Sequence, residues 1–463
     1  MKRISKWKLV LGLSAVLVIG VLAFKGNSES IRDKSIVQQS SWTDSEHLIV
    51  PGLKWIFPGL GEMLNVYAFT WLDMTGGDFD ILKVQGTFPS CRYFSISVHT
   101  RDMKVATYSI KDYEIVPDDG QINPAVPGNP RLKGQKYTVY FVKEGVDVDP
   151  SLKNVRYVPA EFESVAITTR QYRADDDTSL SEVARPYPVV TALHKDMTPG
   201  IAPPSVGMDW SALNLMNFDE FEQSYDNHMA FQRANGNPNS VDFLTYSGAA
   251  MGPSKDNRYV LGMLGDDYSK VAVVGMAKAP TFENTRSGGA FVGGKNVRYW
   301  SFCHAEGRMG LVNACVNDDR MRLNSDGSVT LIIGPESIRE AVEAAGLTYL
   351  PWTRNRTLYK PLMKLVFANN KTYDSSRIEK KTLLAFRQVL ADPSWDGAII
   401  SKAHKYFDII DPPPFDPTMD DRAEVFLGDA GPRGFVLSID DFLIGLKKGD
   451  FSKAFSSSYS PAP

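Results

Sequence analysis

The chain has 463 residues, 43% hydrophobic and 23% charged, with a net charge of −3. That length exceeds what one core serves, so two or three domains are expected, and the apolar content excludes a disordered chain. Lys2, Arg3, Lys6, Lys8 and Lys25 against Glu29 give the first thirty residues +4, leaving −7 for the rest of the chain; such a body has no electrostatic footprint for nucleic acid.

The first predicted element is an apolar run over residues 9–24, behind four basic residues. As a helix it spans roughly 24 Å, short of a hydrocarbon core of roughly 30 Å, so residues 1–30 read either as a cleaved signal peptide or as an anchor extended to residue 7. Both place the body outside the cytoplasm, periplasmic or extracellular, with the membrane as a partner if the segment is uncleaved. A polar tether follows over 31–50. Residues 51–155 form a first β unit, entered through aromatic sequence from Trp55 to Trp71, and 156–255 a connecting region with a strand around Val165 and a helix over 218–234. A second β unit occupies 256–336. Residues 337–463 read as a helical and irregular region: Ser337 and Glu340 frame one capping box, and Ser376 and Glu379 another, opening a helix to about Leu390 on the stripe Ile378, Leu383, Phe386, Val389 and Leu390. A final helix spans 440–448.

The two β units share a signature. Arg92-Tyr93-Phe94-Ser95 recurs as Arg298-Tyr299-Trp300-Ser301, each copy preceded by a strand-like run and followed by an acidic turn, Asp118-Asp119 and Asp318-Asp319. The expected fold is therefore β-rich α+β: two related, duplicated antiparallel β-sandwich or jelly-roll-like units with peripheral helices in the C-terminal part. On a strand, Arg92 shares a face with Phe94 and Ile96, and Arg298 with Trp300 and Phe302. A guanidinium so near a core needs a carboxylate; Glu114 and the two acidic turns are the available partners, and the repetition favours structural clamps. The alternative is that Arg92 or Arg298 opens onto a cleft and binds an anion.

Cys303 and Cys315 flank a hairpin turn near Met309, which would bring the sulfurs opposite each other; a disulfide there suits an oxidising compartment, with two reduced buried thiols as the competing reading. Cys91 reads as a small buried hydrophobe.

The pattern Lys278-Ala279-Pro280-Thr281-Phe282, Val297 to Cys303, and Gly346-Leu347-Thr348-Tyr349-Leu350-Pro351-Trp352 resembles a family of uncharacterised bacterial exported or membrane-anchored proteins; Tyr113 to Asp118 and Asn123-Pro124 fit its N-terminal part. The resemblance implies an envelope protein of β-sandwich units similar to other domains of unknown function, and assigns no catalytic residue.

Motifs for known chemistry are scarce. There is no Gly-x-Ser-x-Gly elbow, no His-Glu-x-x-His and no Cys-x-x-Cys pair, so no metal and no cofactor is expected. The Gly-rich run 287–294 reads as a flexible insertion loop. Asp175-Asp176-Asp177 and Asn324-Ser325-Asp326-Gly327 read as solvated turns rather than calcium loops. Two functions are carried forward. The preferred one is a glycan-, lipid- or protein-binding or structural module, with a carbohydrate or envelope protein as partner and Arg92, Tyr93, Tyr299, Trp300 and Trp352 as candidate contacts; an exposed aromatic strip that also includes Trp55 and Trp71 would support it. The alternative is an extracytoplasmic hydrolase or lyase on a polymer, with His304, Arg298, Asp318 and Asp319 converging in one cleft; His99 is a further strand-end histidine to weigh as a base, and Arg92 with Glu114 a runner-up pair.

Overall fold

A computed structural model of the chain describes residues 33–37, 42–44, 65–101, 106–176, 183, 185–207, 226, 228–230, 239–245, 256–265, 267–306, 311–352, 382–390, 422–452 and 454–455. The basic and apolar segment 1–30, Trp55 and the stripe residue Ile378 lie outside them. No helix among the described residues is long and apolar enough to cross a membrane.

Among the described residues, eighteen strands make two sets of nine. The first set is β1 (Thr43–Asp44), β2 (Asn65–Asp73), β3 (Ile81–Thr87), β4 (Cys91–Thr100), β5 (Ala106–Lys111), β6 (Lys136–Lys143), β7 (Val155–Val158), β8 (Ser164–Ala174) and β9 (Val189–Leu193). The second is β10 (Ser240–Thr245), β11 (Asn257–Gly265), β12 (Lys270–Met276), β13 (Val297–Glu306), β14 (Leu311–Asn317), β15 (Val329–Gly334), β16 (Thr348–Pro351), β17 (Thr382–Leu390) and β18 (Arg433–Ser438). In the first set, five strands run β1-β2-β8-β4-β5 and four run β7-β6-β3-β9. The second set repeats this order as β10-β11-β17-β13-β14 and β16-β15-β12-β18, with an added β10–β18 pairing that fuses its sheets into one of nine strands. The sense of pairing agrees throughout: β6–β7 and β15–β16 are parallel, the rest antiparallel. Register agrees as well. Tyr93 pairs Tyr172, which pairs Asn65, as Tyr299 pairs Val389, which pairs Asn257; Phe94 pairs Gln171 as Trp300 pairs Gln388.

Each set packs its two sheets around one apolar layer. Phe94, Ile96 and Val98 of β4 meet Val84, Tyr137, Val139 and Phe141 of the facing sheet. In the second set Trp300, Phe302 and Phe386 meet Val274, Leu331 and Ile333. β2, β4 and β8 are buried on both faces, so their polar residues, Ser95, Ser97, Thr168 and Thr169 among them, are buried with the apolar ones. Gly262 leaves room for the ring of its cross-strand partner Phe243, from which a Cβ would sit 2.9 Å away.

The helix expected to end at Leu390 is instead strand β17, inserted between β11 and β13. A single apolar stripe fits a helix of period 3.6 and a two-sided strand alike; here the gap between β11 and β13 imposed the extended form. Together with β16 and β18 it completes the second sandwich, so strands of that unit extend well past residue 336. Peripheral helices are present: α1 (Arg339–Ala344) ends before Gly346 in left-handed conformation, and α2 (Ile439–Lys448) starts at Ser438, whose side chain accepts from the Asp441 amide. They cover the outer face of the four-stranded part through Val342 and Phe442. No side-chain cap forms at Ser337; a turn of 3-10 helix over Glu336–Ile338 precedes α1. In the 218–234 stretch, residues 226 and 228–230 are helical.

Cys303 and Cys315 pair directly across β13 and β14 and form a disulfide, while Cys91 is a buried free thiol.

Phe386 is fully buried and stacked 4.7 Å from Phe302. Phe386→Ala is expected to destabilise the second unit by about 3–5 kcal/mol, the range for a large aromatic removed from a core. Urea unfolding followed by near-ultraviolet circular dichroism reads this; an unchanged midpoint would contradict the strand placement.

Candidate functional site

The two sandwiches meet along a seam where β4 faces β13, and the signature arginines lie in it. Arg298 sits at a register shift between Val297 and Tyr299 on β13, and Arg92 between the paired Cys91 and Tyr93 on β4, where the register is unbroken. Arg92 crosses to the other unit. It donates from Nη1 to Asp318 Oδ1 with both side chains fully buried, and its Nη2 lies 3.8 Å from Asp319. Arg173 and Arg286 converge on the same Asp319, at 2.8 Å and 3.8 Å. Arg173 reaches it from a left-handed backbone position (φ 52).

Asp318 is fixed locally as well. It accepts from the Trp300 amide at 3.1 Å and the Asp319 amide at 2.7 Å. Asp112 stands in the same relation to the first unit, accepting from the Phe94 amide at 3.0 Å and the Tyr113 amide at 2.7 Å. Its nearest cationic influence is Arg298 of the other unit, which is not in ion-pair contact. Arg298 instead donates from Nη2 to the Ala125 carbonyl at 2.7 Å and lies 3.8 Å over the Phe291 ring. The arginines are thus exchanged between units, with one direct pair and one longer-range pair.

The Gly-rich run is a strap across this seam rather than a free loop. Glu283 accepts from the Val292 and Gly293 amides, and Phe291 is wedged between Arg298 and Arg131. The Phe291 carbonyl accepts from the Gly128 amide of the first unit. Arg131 also pairs with Asp175, which accepts from Thr285 as well, so Asp175 is a buried seam residue and not part of a solvated turn. Aromatic rings complete the seam: Tyr172 lies 5.6 Å from Tyr299 and accepts from Asn257 Nδ2 at 2.6 Å.

Burial dominates the electrostatics. It pushes Asp112 and Asp318 each up to about 6 despite the arginines, and it pushes the Tyr93 hydroxyl up. His304, fully buried with no hydrogen-bond partner among the described residues, is pushed down to about 3 by desolvation; buried His228 falls to about 4.

The other feature is a cleft of about 270 Å³ at one end of the first sandwich. It penetrates between the sheets, reaching Phe94 and Gln171 on one side and Thr87 and Tyr137 on the other. Pro186 and Pro188 close one flank, and Lys133 and Asp176, 3.7 Å apart, stand at the rim. Gln171 is 3% exposed; its Nε2 donates to Thr169 Oγ1 at 3.1 Å, and its Oε1 has no partner. A second cavity of about 290 Å³ shares Phe88, Pro89, Ser90, Lys133 and Asp176 with it. The corresponding end of the second sandwich is built differently. There the β12–β13 connection is long, and its Ala279 and Phe282 pack onto the core beside Trp300, which occupies the place of Phe94.

The expected hydrolase cleft does not form. His304 is six residues from Arg298 along one strand, roughly 20 Å at the rise of a β-strand, and none of the described contacts joins it to Arg298, Asp318 or Asp319. The exposed aromatic strip is also overturned: Trp71, Tyr93, Tyr299, Trp300 and Trp352 are all buried, because each supplies area to a core or to the seam. Asp119 is exposed and pairs with Lys153, and Glu114 pairs with Lys111; neither pairs with Arg92. Matching Asp118-Asp119 to Asp318-Asp319 was one turn too far along the chain: the counterpart of Asp318 is Asp112. An Arg followed by an Asp at the same separation in both copies, Arg92 to Asp112 and Arg298 to Asp318, was the available signal. His99 lies on the outer sheet face, where its Nε2 accepts from Arg170 at 3.1 Å and its Nδ1 contacts Thr168 at 3.3 Å. Gln171 carried no signal of its own; only the repeated Arg-Gln of 170–171 and 387–388 marks the position.

No family model and no curated protein matches the chain. Among solved structures it is similar to an uncharacterised protein from Burkholderia cenocepacia at 12% identity, covering 95% of this chain and 92% of that one with a TM-score of 0.46. It is also similar to the VPA0106 protein from Vibrio parahaemolyticus at 12% identity, covering 73% and 87% with a TM-score of 0.38. At these scores neither likeness bears on chemistry, and the family resemblance of the 278–352 pattern has no family model behind it.

Arg92→Met is expected to cost about 3–5 kcal/mol because it strands a buried carboxylate, and Arg92→Met with Asp318→Asn together to cost less than the sum of the single changes. A double-mutant cycle by denaturant unfolding measures this; strict additivity would contradict the pairing. A pH dependence follows from the raised aspartates. Folded Asp318 holds its proton more tightly than the unfolded residue, so its contribution is full below the ordinary value of 3.8 and is lost as pH rises through about 6. The depressed His228 and His304 act oppositely, losing stability as pH falls below 6.5, so the effect is read as a difference. The stability gap between wild type and Asp318→Asn should widen by on the order of 1 kcal/mol from pH 7.5 to pH 5. A gap that narrows would show that the folded carboxyl is not raised.

Proposed function

We propose that the chain is an exported binding protein whose ligand enters the open end of the first sandwich. The observation that carries this reading is the difference between two units of one strand order. The second unit closes its end with Ala279, Phe282 and Trp300, whereas the first leaves a cleft reaching Phe94 and Gln171. A cleft between sheets with an apolar floor and few convergent polar groups is the usual form of a small-ligand site. The conspicuous charged residues are consumed by the seam, which makes Arg92, Arg298, Asp112 and Asp318 scaffold rather than ligand contacts. Export is supported by the basic and apolar segment at the start of the sequence and by the Cys303–Cys315 disulfide, which persists in oxidising compartments. The ligand would be a glycan, a lipid-linked molecule or part of an envelope protein.

Ser90 lines both cavities. Ser90→Trp in the full chain should fill the opening and lower affinity for small ring compounds at least tenfold, with the thermal midpoint within a few degrees of wild type. Ligand-observed NMR with a fragment panel measures this; fragments bound equally by both proteins would remove the cleft as the site.

A further inference from the structure

Resting on that reading of the cleft, we infer that its ligand is a neutral ring bearing hydroxyl groups, of one- or two-sugar size, with one hydroxyl bonded to the Gln171 side-chain amide. The position of Gln171 is the starting point. It is a core-facing residue of β8, paired across to Phe94, in a layer where its neighbours Ile167 and Val165 are apolar. A primary amide at that place has two polar ends to satisfy. Thr169 Oγ1 takes one, and the other, Oε1, is buried and unpartnered on a side chain that lines the cleft and is 3% exposed. Covering it with an apolar group would strand a buried acceptor at about 1–3 kcal/mol, whereas a ligand hydroxyl satisfies it. A hydroxyl also suits the reverse amide orientation, since it accepts as readily as it donates.

The rest of the lining fits a ring and does not call for an ion. Phe88, Phe94 and Tyr137 form a mutually packed aromatic floor, with Phe88 5.2 Å and Phe94 5.5 Å from Tyr137, and Pro89, Pro186 and Pro188 give flat apolar walls. Such surfaces take the C–H face of a sugar. The charges at the rim are mixed in sign: Lys133 is matched by Asp176, and Arg185 packs on Tyr187. Together the charged lining residues, Lys133, Arg185 and Asp176, sum to +1, too small a charge to require an anionic ligand. The volume, about 270 Å³, lies at the lower edge of ligand pockets and admits one or two rings rather than an acyl chain.

The test uses the full chain, with methyl hexopyranosides and N-acetylhexosamine as hydroxylated rings, indole as the apolar ring and benzoate as the anionic one, read by saturation-transfer NMR and titration. The sugars should bind at least tenfold more tightly than indole or benzoate. Gln171→Met, close in shape but without the amide, should lose at least tenfold in sugar affinity, and Gln171→Glu, which keeps an acceptor, should recover most of it; Ser90→Trp should abolish binding. Indole or benzoate bound as tightly as the sugars, or full sugar affinity in Gln171→Met, would overturn the ligand class while Ser90→Trp still blocks. Sugar binding untouched by Ser90→Trp, or no probe binding at all, would overturn the cleft itself. If Gln171→Met fails to fold, the sugar–indole ratio of the wild type decides alone.

Discussion

A fully desolvated guanidinium on a carboxylate of the opposite unit, Arg92 on Asp318, is the contact on which the remaining structure depends. A charge in that position has no cheap alternative: separating the units by an ångström would leave both groups without water and without each other. The geometry of the seam is therefore fixed more sharply than apolar packing would fix it. Around that pair the protein adds Arg173 and Arg286 on Asp319, the Phe291 strap between Arg131 and Arg298, and the Tyr172–Tyr299 contact. Each of these also crosses between the units or braces a residue that does.

Anchoring of this kind explains why the most conspicuous polar residues are poor candidates for chemistry. Asp318 is bound by two backbone amides and one arginine, and Asp112 by two backbone amides, so their lone pairs are engaged before any substrate arrives. His304 lies inside the second sandwich, where burial keeps it neutral. Its counterpart in register on β4 is Val98, a plain core residue.

The proposed function then separates from scaffold where the two units differ. Strand order, pairing sense and the Asp–amide bonds agree, but the connections do not. A long β12–β13 insertion both forms the strap and packs Phe282 over the second core, while the three-residue β3–β4 link leaves the first sandwich open at Gln171. Loop length, which costs a fold little, decided which end stayed accessible.

Much of the fold was legible in the sequence. The repeated Arg-Tyr-x-Ser marked equivalent strands, the spacing of Cys303 and Cys315 placed a hairpin, and the last helix was expected over 440–448, because these signals are local and their physics acts within a few residues. The stripe ending at Leu390 was misleading for the same reason: local periodicity allowed a helix, and only a vacant place between β11 and β13 made it a strand. Which carboxylate answers which arginine was beyond sequence too, since Arg92 and Asp318 are distant in the chain and meet only after two sandwiches have folded and docked. Whether an aromatic is a platform or a core residue was likewise settled in three dimensions, where Trp300 and Trp352 are covered and Gln171 lines a cleft. Sequence determined the elements and their repetition; burial, a property of the assembled layers, decided which residues remained available.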